Sequence, residues 1–229
     1  MLHTTRYGSA INLVTVPAAR LDDLIAAVQR HNPDVLHLSG YGEEGDGFLF
    51  RTDDGGQAPV KQQALSDLLA VAAPQLRLAL VNACWGASLA QLLANTTGCA
   101  IGSTTIVDDE TARRFSLEFY RAMGNGFSAG DSFRITRHAL ATYDLPDQHA
   151  LNLFQKSEGT ADRIFVIPGA LLPAPARDAA AKPSPPTAPA SRRKYRAVIT
   201  GDARDEEEAR SMMAGFTVEM MTFTDDRQL

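Results

Sequence analysis

Apolar positions along the chain fall into short β-branched runs separated by stretches of helical period. Ile11-Asn-Leu-Val-Thr-Val16 alternates and is β-branched, which predicts a strand. Leu21, Leu24, Ile25 and Val28 then recur at helical spacing. Asp22 and Asp23 suit the positive end of that helix, and Asn32-Pro33 ends it. Val35 to Ser39 is apolar enough to be a strand buried on both faces. Strand, helix and strand in that order imply a right-handed βαβ unit and a parallel sheet.

The pattern continues in kind. Phe48-Leu-Phe-Arg51, Asp53-Asp-Gly-Gly56 and Pro59-Val60 predict a small hairpin turned on Asp-Gly. Gln62 to Ala73 reads as a helix closed by Pro74, and Leu76 to Val81 as the third core strand. A helix over Ala87 to Asn95 precedes a fourth strand, Cys99 to Ser103. Asp108-Asp109-Glu110 should cap a helix running through Arg121, with Phe115, Phe119 and Tyr120 on its core-facing stripe. Ser128 begins another helix reaching about Tyr143, and Asp162 to Ile167 reads as a last strand, at an edge. Strands alternating with helices predict a three-layer α/β domain with a mostly parallel central sheet.

Composition then changes. Residues 169–194 are dense in proline and alanine with little to bury, the signature of an extended linker. Residues 195–229 regain a strand, an acidic helix (Asp205 to Ala214) and a strand. So short a βαβ tail cannot hold its own core. It is either docked on the 1–168 domain or the beginning of a second one.

The net charge of −5 argues against a nucleic-acid surface, which needs concentrated Lys and Arg. No apolar run is long enough for a membrane span, and the N-terminus lacks a secretory signal core. Two cysteines make neither a disulfide framework nor, with scattered histidines, a zinc site. Neither a GxGxxG fingerprint nor a P-loop follows any strand, so no cofactor is expected. A cytoplasmic protein with reduced thiols fits these features.

Chemistry in an open α/β sheet collects at the carboxyl ends of its strands. Two strands here end abruptly in small residues, Leu38-Ser-Gly-Tyr-Gly42 and Val81-Asn-Ala-Cys-Trp-Gly86. If they are neighbours, Tyr41, Gly42 and Cys84 face one crevice. Free cysteine is often merely a small buried hydrophobe. Cys84 lies at a strand's end before a new helix and is expected to line a site, whereas Cys99 opens a strand and is expected in the core.

With Ala100-Ile-Gly-Ser103, the acidic pair before Phe115…Phe119-Tyr120-Arg-Ala-Met-Gly124, and the Ser128 helix, these two strings resemble the caspase-like cysteine peptidases. The likeness is to their prokaryotic CHAT branch, whose usual strings are Ser-Gly-His-Gly and Asn-Ala-Cys, and it covers residues 11–167. The resemblance implies Cys84 as nucleophile, with the backbone N–H groups of Gly42 and Cys84 as oxyanion donors. Asn82 and Ala83 would help line the substrate pocket, with Ser39 beside them. Glu43, with Glu44 and Asp46, would rim it or form a merely solvated acidic loop. It also implies a protein or peptide substrate or partner, and membership of a larger bacterial defence or signalling assembly.

The family's histidine falls on Tyr41. A neutral phenol supplies no cation to stabilise a thiolate and returns a proton to a leaving amine poorly. A Cys–Tyr pair is expected to be severely slowed or dead, which favours a pseudo-peptidase that binds protein over an active endopeptidase. His37, four residues back in the strand, is expected to be packed and hydrogen-bonded in the interior. His3, His31, His138 and His149 are not placed beside Cys84 by any pattern.

Overall fold

The computed structural model describes Thr5 and residues 11–43, 47–166, 195–201 and 217–220. Its main sheet contains β1 (Ile11–Pro17), β2 (Val35–Ser39), β6 (Leu78–Asn82), β7 (Cys99–Ser103), β8 (Leu151–Gln155), β9 (Tyr195–Gly201) and β10 (Thr217–Met220). Their order is β10-β1-β9-β2-β6-β7-β8, and every pairing is parallel except β7 with β8. A separate antiparallel sheet is formed by β3 (Gly42–Glu43), β4 (Gly47–Arg51) and β5 (Gln57–Val60). The three-layer, mostly parallel α/β architecture read from the sequence is therefore present.

Helices α1 (Leu21–His31), α2 (Gln62–Ala72) and α3 (Ala87–Thr97) cover one face, burying Leu24, Val28, Leu65, Leu69, Leu89 and Leu93 against Leu36, Ala79 and Val81. On the other face, α4 (Asp109–Gly124) and α5 (Ala129–Ala141) bury Phe115, Phe119, Met123 and Phe133 against Leu13, Leu80 and Ile101. The Phe115–Phe119–Tyr120 stripe is thus core.

Local chemistry sets the helix ends. The Asn32 amide bonds the Val28 carbonyl from a left-handed conformation (φ 43°), and Pro33 prevents continuation. Asp108 accepts from the amides of Glu110 and Thr111, and the Ser128 hydroxyl accepts from that of Asp131, so both expected caps form.

The sequence reading is corrected at one strand. Residues 162–166 are not a strand: Ala161–Arg163 is a 3-10 turn and irregular chain follows to Val166. The Ile164 carbonyl accepts from the Ala129 amide, and the Phe165 carbonyl from the Arg77 guanidinium at 2.8 Å. These backbone groups are spent on α5 and on the base of β6 rather than on a ladder. The edge strand is instead Leu151–Gln155, antiparallel to β7. The linker and the expected acidic helix lie outside the described residues, whereas β9 and β10 are paired within the main sheet.

Candidate active site

Strands β2 and β6 are neighbours in register, Val35 with Leu78 through to Ser39 with Asn82. The pairing runs one residue further, the Gly40 amide donating to the Asn82 carbonyl at 3.2 Å. Both chains therefore leave the sheet side by side at their carboxyl ends, which brings the Tyr41–Gly42 and Ala83–Cys84 segments together.

The turn after β6 is tight. The Gly86 amide donates to the Ala83 carbonyl at 3.2 Å, and the Trp85 amide to the Thr105 carbonyl at 3.3 Å. Trp85 adopts a left-handed conformation (φ 58°), which costs a non-glycine residue about 1–3 kcal/mol and persists only where the surroundings enforce it. At Gly86 a side chain would press on Val81 and on the Ala83 carbonyl. Cys84 sits at the apex of this strained turn, partly exposed, three residues before α3 begins. Its amide donates to no acceptor among the described residues.

Gly42 rests directly on this turn, since an added Cβ would run into the Cys84 carbonyl. The Leu49 amide donates to the Tyr41 carbonyl at 3.0 Å, which makes Gly42–Phe48 a non-hydrogen-bonded pair of its ladder. The Gly42 amide thus points away from β4. Tyr41 is pinned through its backbone while the residue as a whole is 59% exposed.

Of the other expected residues, Ser39 and Asn82 are half-buried at the carboxyl ends of β2 and β6, and Ala83 is buried in the α1–α3 core. Glu43 belongs to β3, whereas Glu44 and Asp46 lie outside the described residues. Cys99 is fully buried, and burial pushes its thiol up to about 12.

No histidine takes the place of Tyr41 among the described residues. His37 is buried, its ring 5.7 Å from that of Tyr120. It is packed as expected but not hydrogen-bonded, for neither ring nitrogen has a partner among the described residues. Burial alone pushes this imidazole down to about 3. His31 ends α1 at the amino end of the sheet, and His138 lies in the last turn of α5. His149 is the one near the carboxyl rim, two residues before Leu151, which pairs with Ser103. It stands on the β7–β8 side, Nδ1 at 3.2 Å from the Arg137 guanidinium, away from the β2 end. His3 lies outside the described residues.

Sequence reasoning missed the third wall. The Thr105 carbonyl holds Trp85, and the following Ile106 is 63% exposed. Their position just past a core strand is the signal that marks them.

No protein-family model matches the chain. It is distantly similar to a CHAT protease. That relative, a Roc-COR-CHAT protease from an unknown prokaryotic organism, is 21% identical over 153 residues, covering 64% of this chain and 14% of the relative. The chain thus spans a small part of that protein's length. Among the described residues, no helix is long and apolar enough to cross a membrane.

Proposed function

We propose that the chain is a caspase-like, CHAT-type cysteine peptidase domain in which hydrolysis is absent or strongly impaired, retained as a protein-binding or regulatory module. The observation that carries this reading is Cys84 at the apex of a strained turn, with Gly42 packed on its carbonyl and tyrosine where an imidazole is needed.

The arrangement suits acyl chemistry in its parts. A substrate carbonyl brought against the Cys84 Sγ would meet the amides of Cys84 and Gly42 as donors to the developing oxyanion. Asn82 and Ser39, at the ends of the two strands, would touch the substrate beside the cysteine turn. Tyr41 is the failing part, because a neutral phenol is a poor base toward the thiol and a poor acid toward the leaving amine. Binding survives such a substitution better than turnover does, hence the module reading. The distant relative's name joins Roc and COR to a CHAT protease, which supports a place for this domain in a larger assembly. A signalling or defence role in a bacterial cytoplasm is part of the same proposal.

The test is a peptide-library and protein-cleavage assay on the full chain and on Tyr41→His, with Cys84→Ala in both backgrounds. Cleavage that appears in Tyr41→His and disappears with Cys84→Ala supports the reading. Cleavage by the unmodified chain as fast as by Tyr41→His makes it an active endopeptidase instead. If Tyr41→His gives nothing and Cys84 resists iodoacetamide, the site is no peptidase cleft at all.

A further inference from the structure

Strands β1 and β2 follow one another through a single helix, a connection that ordinarily places parallel strands side by side. Here β9 stands between them, paired with β1 from Ile11–Tyr195 to Pro17–Gly201 and with β2 from Val35–Ala197 to Leu38–Thr200. The middle of the sheet is therefore filled by a strand that follows the proline- and alanine-rich residues 169–194 in the sequence.

The residues flanking that strand carry an unusual deficit. Ile199 is abreast of Thr15 on β1 and of His37 on β2. Thr15 and His37 are 4% and 5% exposed, and neither the Thr15 hydroxyl nor either nitrogen of His37 has a partner among the described residues. Buried polar groups are nearly always paired, so two orphans at one level of one sheet call for an explanation. The register supplies it. With β9 removed and β1 moved against β2 in the alignment that β9 transmits, Thr15 falls directly opposite His37. Adjacent strands are about 4.8 Å apart, close enough for the hydroxyl to bond the imidazole, whereas the interposed strand holds the two backbones about 9.5 Å apart.

We propose that the sheet has two arrangements: one with the tail strand β9 inserted, as in this structure, and one with it withdrawn and β1 paired directly with β2 through a Thr15–His37 hydrogen bond. The β2–β6 pairing is common to both, so the Gly42–Cys84 contact persists. What changes is the β1 side of the crevice. Inserted, β9 ends at Thr200–Gly201 beside Leu38 and Pro17 and keeps the end of β1 one strand away from the Ser39–Gly42 segment. Withdrawn, it lets that end close in. The tail thereby sets the width of the crevice whether or not Cys84 turns over, and this inference is independent of the peptidase reading.

Disulfide trapping in the full chain, with Cys84→Ser to remove the exposed thiol, tests the proposal. Asn12→Cys with Arg196→Cys reports insertion, since those positions are register partners. Leu13→Cys with Val35→Cys reports withdrawal and leaves Thr15 and His37 in place: both are register partners of Ala197, so only the withdrawn arrangement brings their Cα atoms within the about 7 Å that a disulfide requires. Under mild oxidation both bridges are expected, the 12–196 bridge at least tenfold faster. Ile199→Pro, which takes a donor out of the β9 ladder, should reverse that preference while the protein keeps a cooperative thermal transition. The proposal is overturned if the 13–35 bridge never forms, or if it forms only in chains that have lost cooperative melting.

Discussion

At the scale of single residues, the crevice depends on backbone contacts that tolerate no side chain. Gly42 lies against the Cys84 carbonyl, so Gly42→Ala must push the two segments apart. Such overpacking costs about 1–3 kcal/mol, and here it also separates two proposed oxyanion donors. Two readouts should move together: a lower urea midpoint and a changed rate of Cys84 alkylation by iodoacetamide. Loss of stability with an unchanged alkylation rate would detach Gly42 from the Cys84 turn. His37 makes a different prediction. Its folded pKa of about 3 lies below the unfolded value of about 6.5, so between these the unfolded chain binds the extra proton. Its contribution is therefore complete above pH 6.5 and is lost as pH falls toward 3, at about 1.4 kcal/mol per unit at the steepest. Urea unfolding at pH 7.5, 6.5, 5.5 and 4.5 should show His37→Leu losing less stability on acidification than the unmodified chain. Parallel slopes would mean that His37 is solvated or partnered in the fold.

At the scale of elements, most of the chain was legible from sequence because its signals are local. The Asn32-Pro33 stop, the Asp108 and Ser128 caps, and the Asp-Gly hairpin each rest on side chains within a few residues of the feature they make. Apolarity alone misleads at residues 162–166, since Ile164 and Val166 are indeed buried but the backbone there bonds α5 and Arg77. Leu151-Asn-Leu-Phe-Gln155 gives only a weak strand signal, being short and lying just beyond the turn-rich Asp144–Gln148 segment. At the site, strand adjacency delivered the Cys84–Gly42 juxtaposition, whereas the Thr105 wall is held by one carbonyl and left no side-chain pattern to read. The packing of β7 on α3 is as close as that of Gly42 on Cys84. A Cβ on Gly102 would sit 2.6 Å from the Gly86 carbonyl and 2.7 Å from the Ala90 Cβ. Gly102→Ala should cost about 1–3 kcal/mol in urea unfolding. Because Gly86 closes the cysteine turn, it should also alter Cys84 alkylation, although the substituted residue lies on another strand. An alkylation rate equal to that of the unmodified chain would show that the turn does not feel β7.

At the scale of the whole molecule, the order of strands is what local patterns could not reveal. Nothing in Tyr195–Gly201 states that it will lie between two strands more than 150 residues earlier, and long-range pairing of this kind is set by which polar and apolar rows match across the sheet. The consequence can be measured on a chain ending at residue 168, which lacks both β9 and β10. Were β9 a fixed central strand, its loss would leave β1 and β2 with unpaired edges facing one another across a gap that water cannot fill without dissolving the core. Such a fragment would be expanded and would melt without cooperativity. If the sheet has a second arrangement, β1 closes onto β2, Thr15 meets His37, and the fragment remains folded, less stable for the apolar area it no longer buries. We expect the second outcome: a cooperative transition in circular dichroism at a lower temperature than that of the full chain, with β1 amides protected from hydrogen exchange. In that fragment Thr15→Val, which strips the hydroxyl from the proposed Thr15–His37 bond, should destabilise by about 0.5–1.5 kcal/mol. In the full chain the same change removes only an orphan and should be neutral or stabilising. A loss of stability confined to the shorter chain is the mark of two pairings for β1, and an equal loss in both lengths would leave only one.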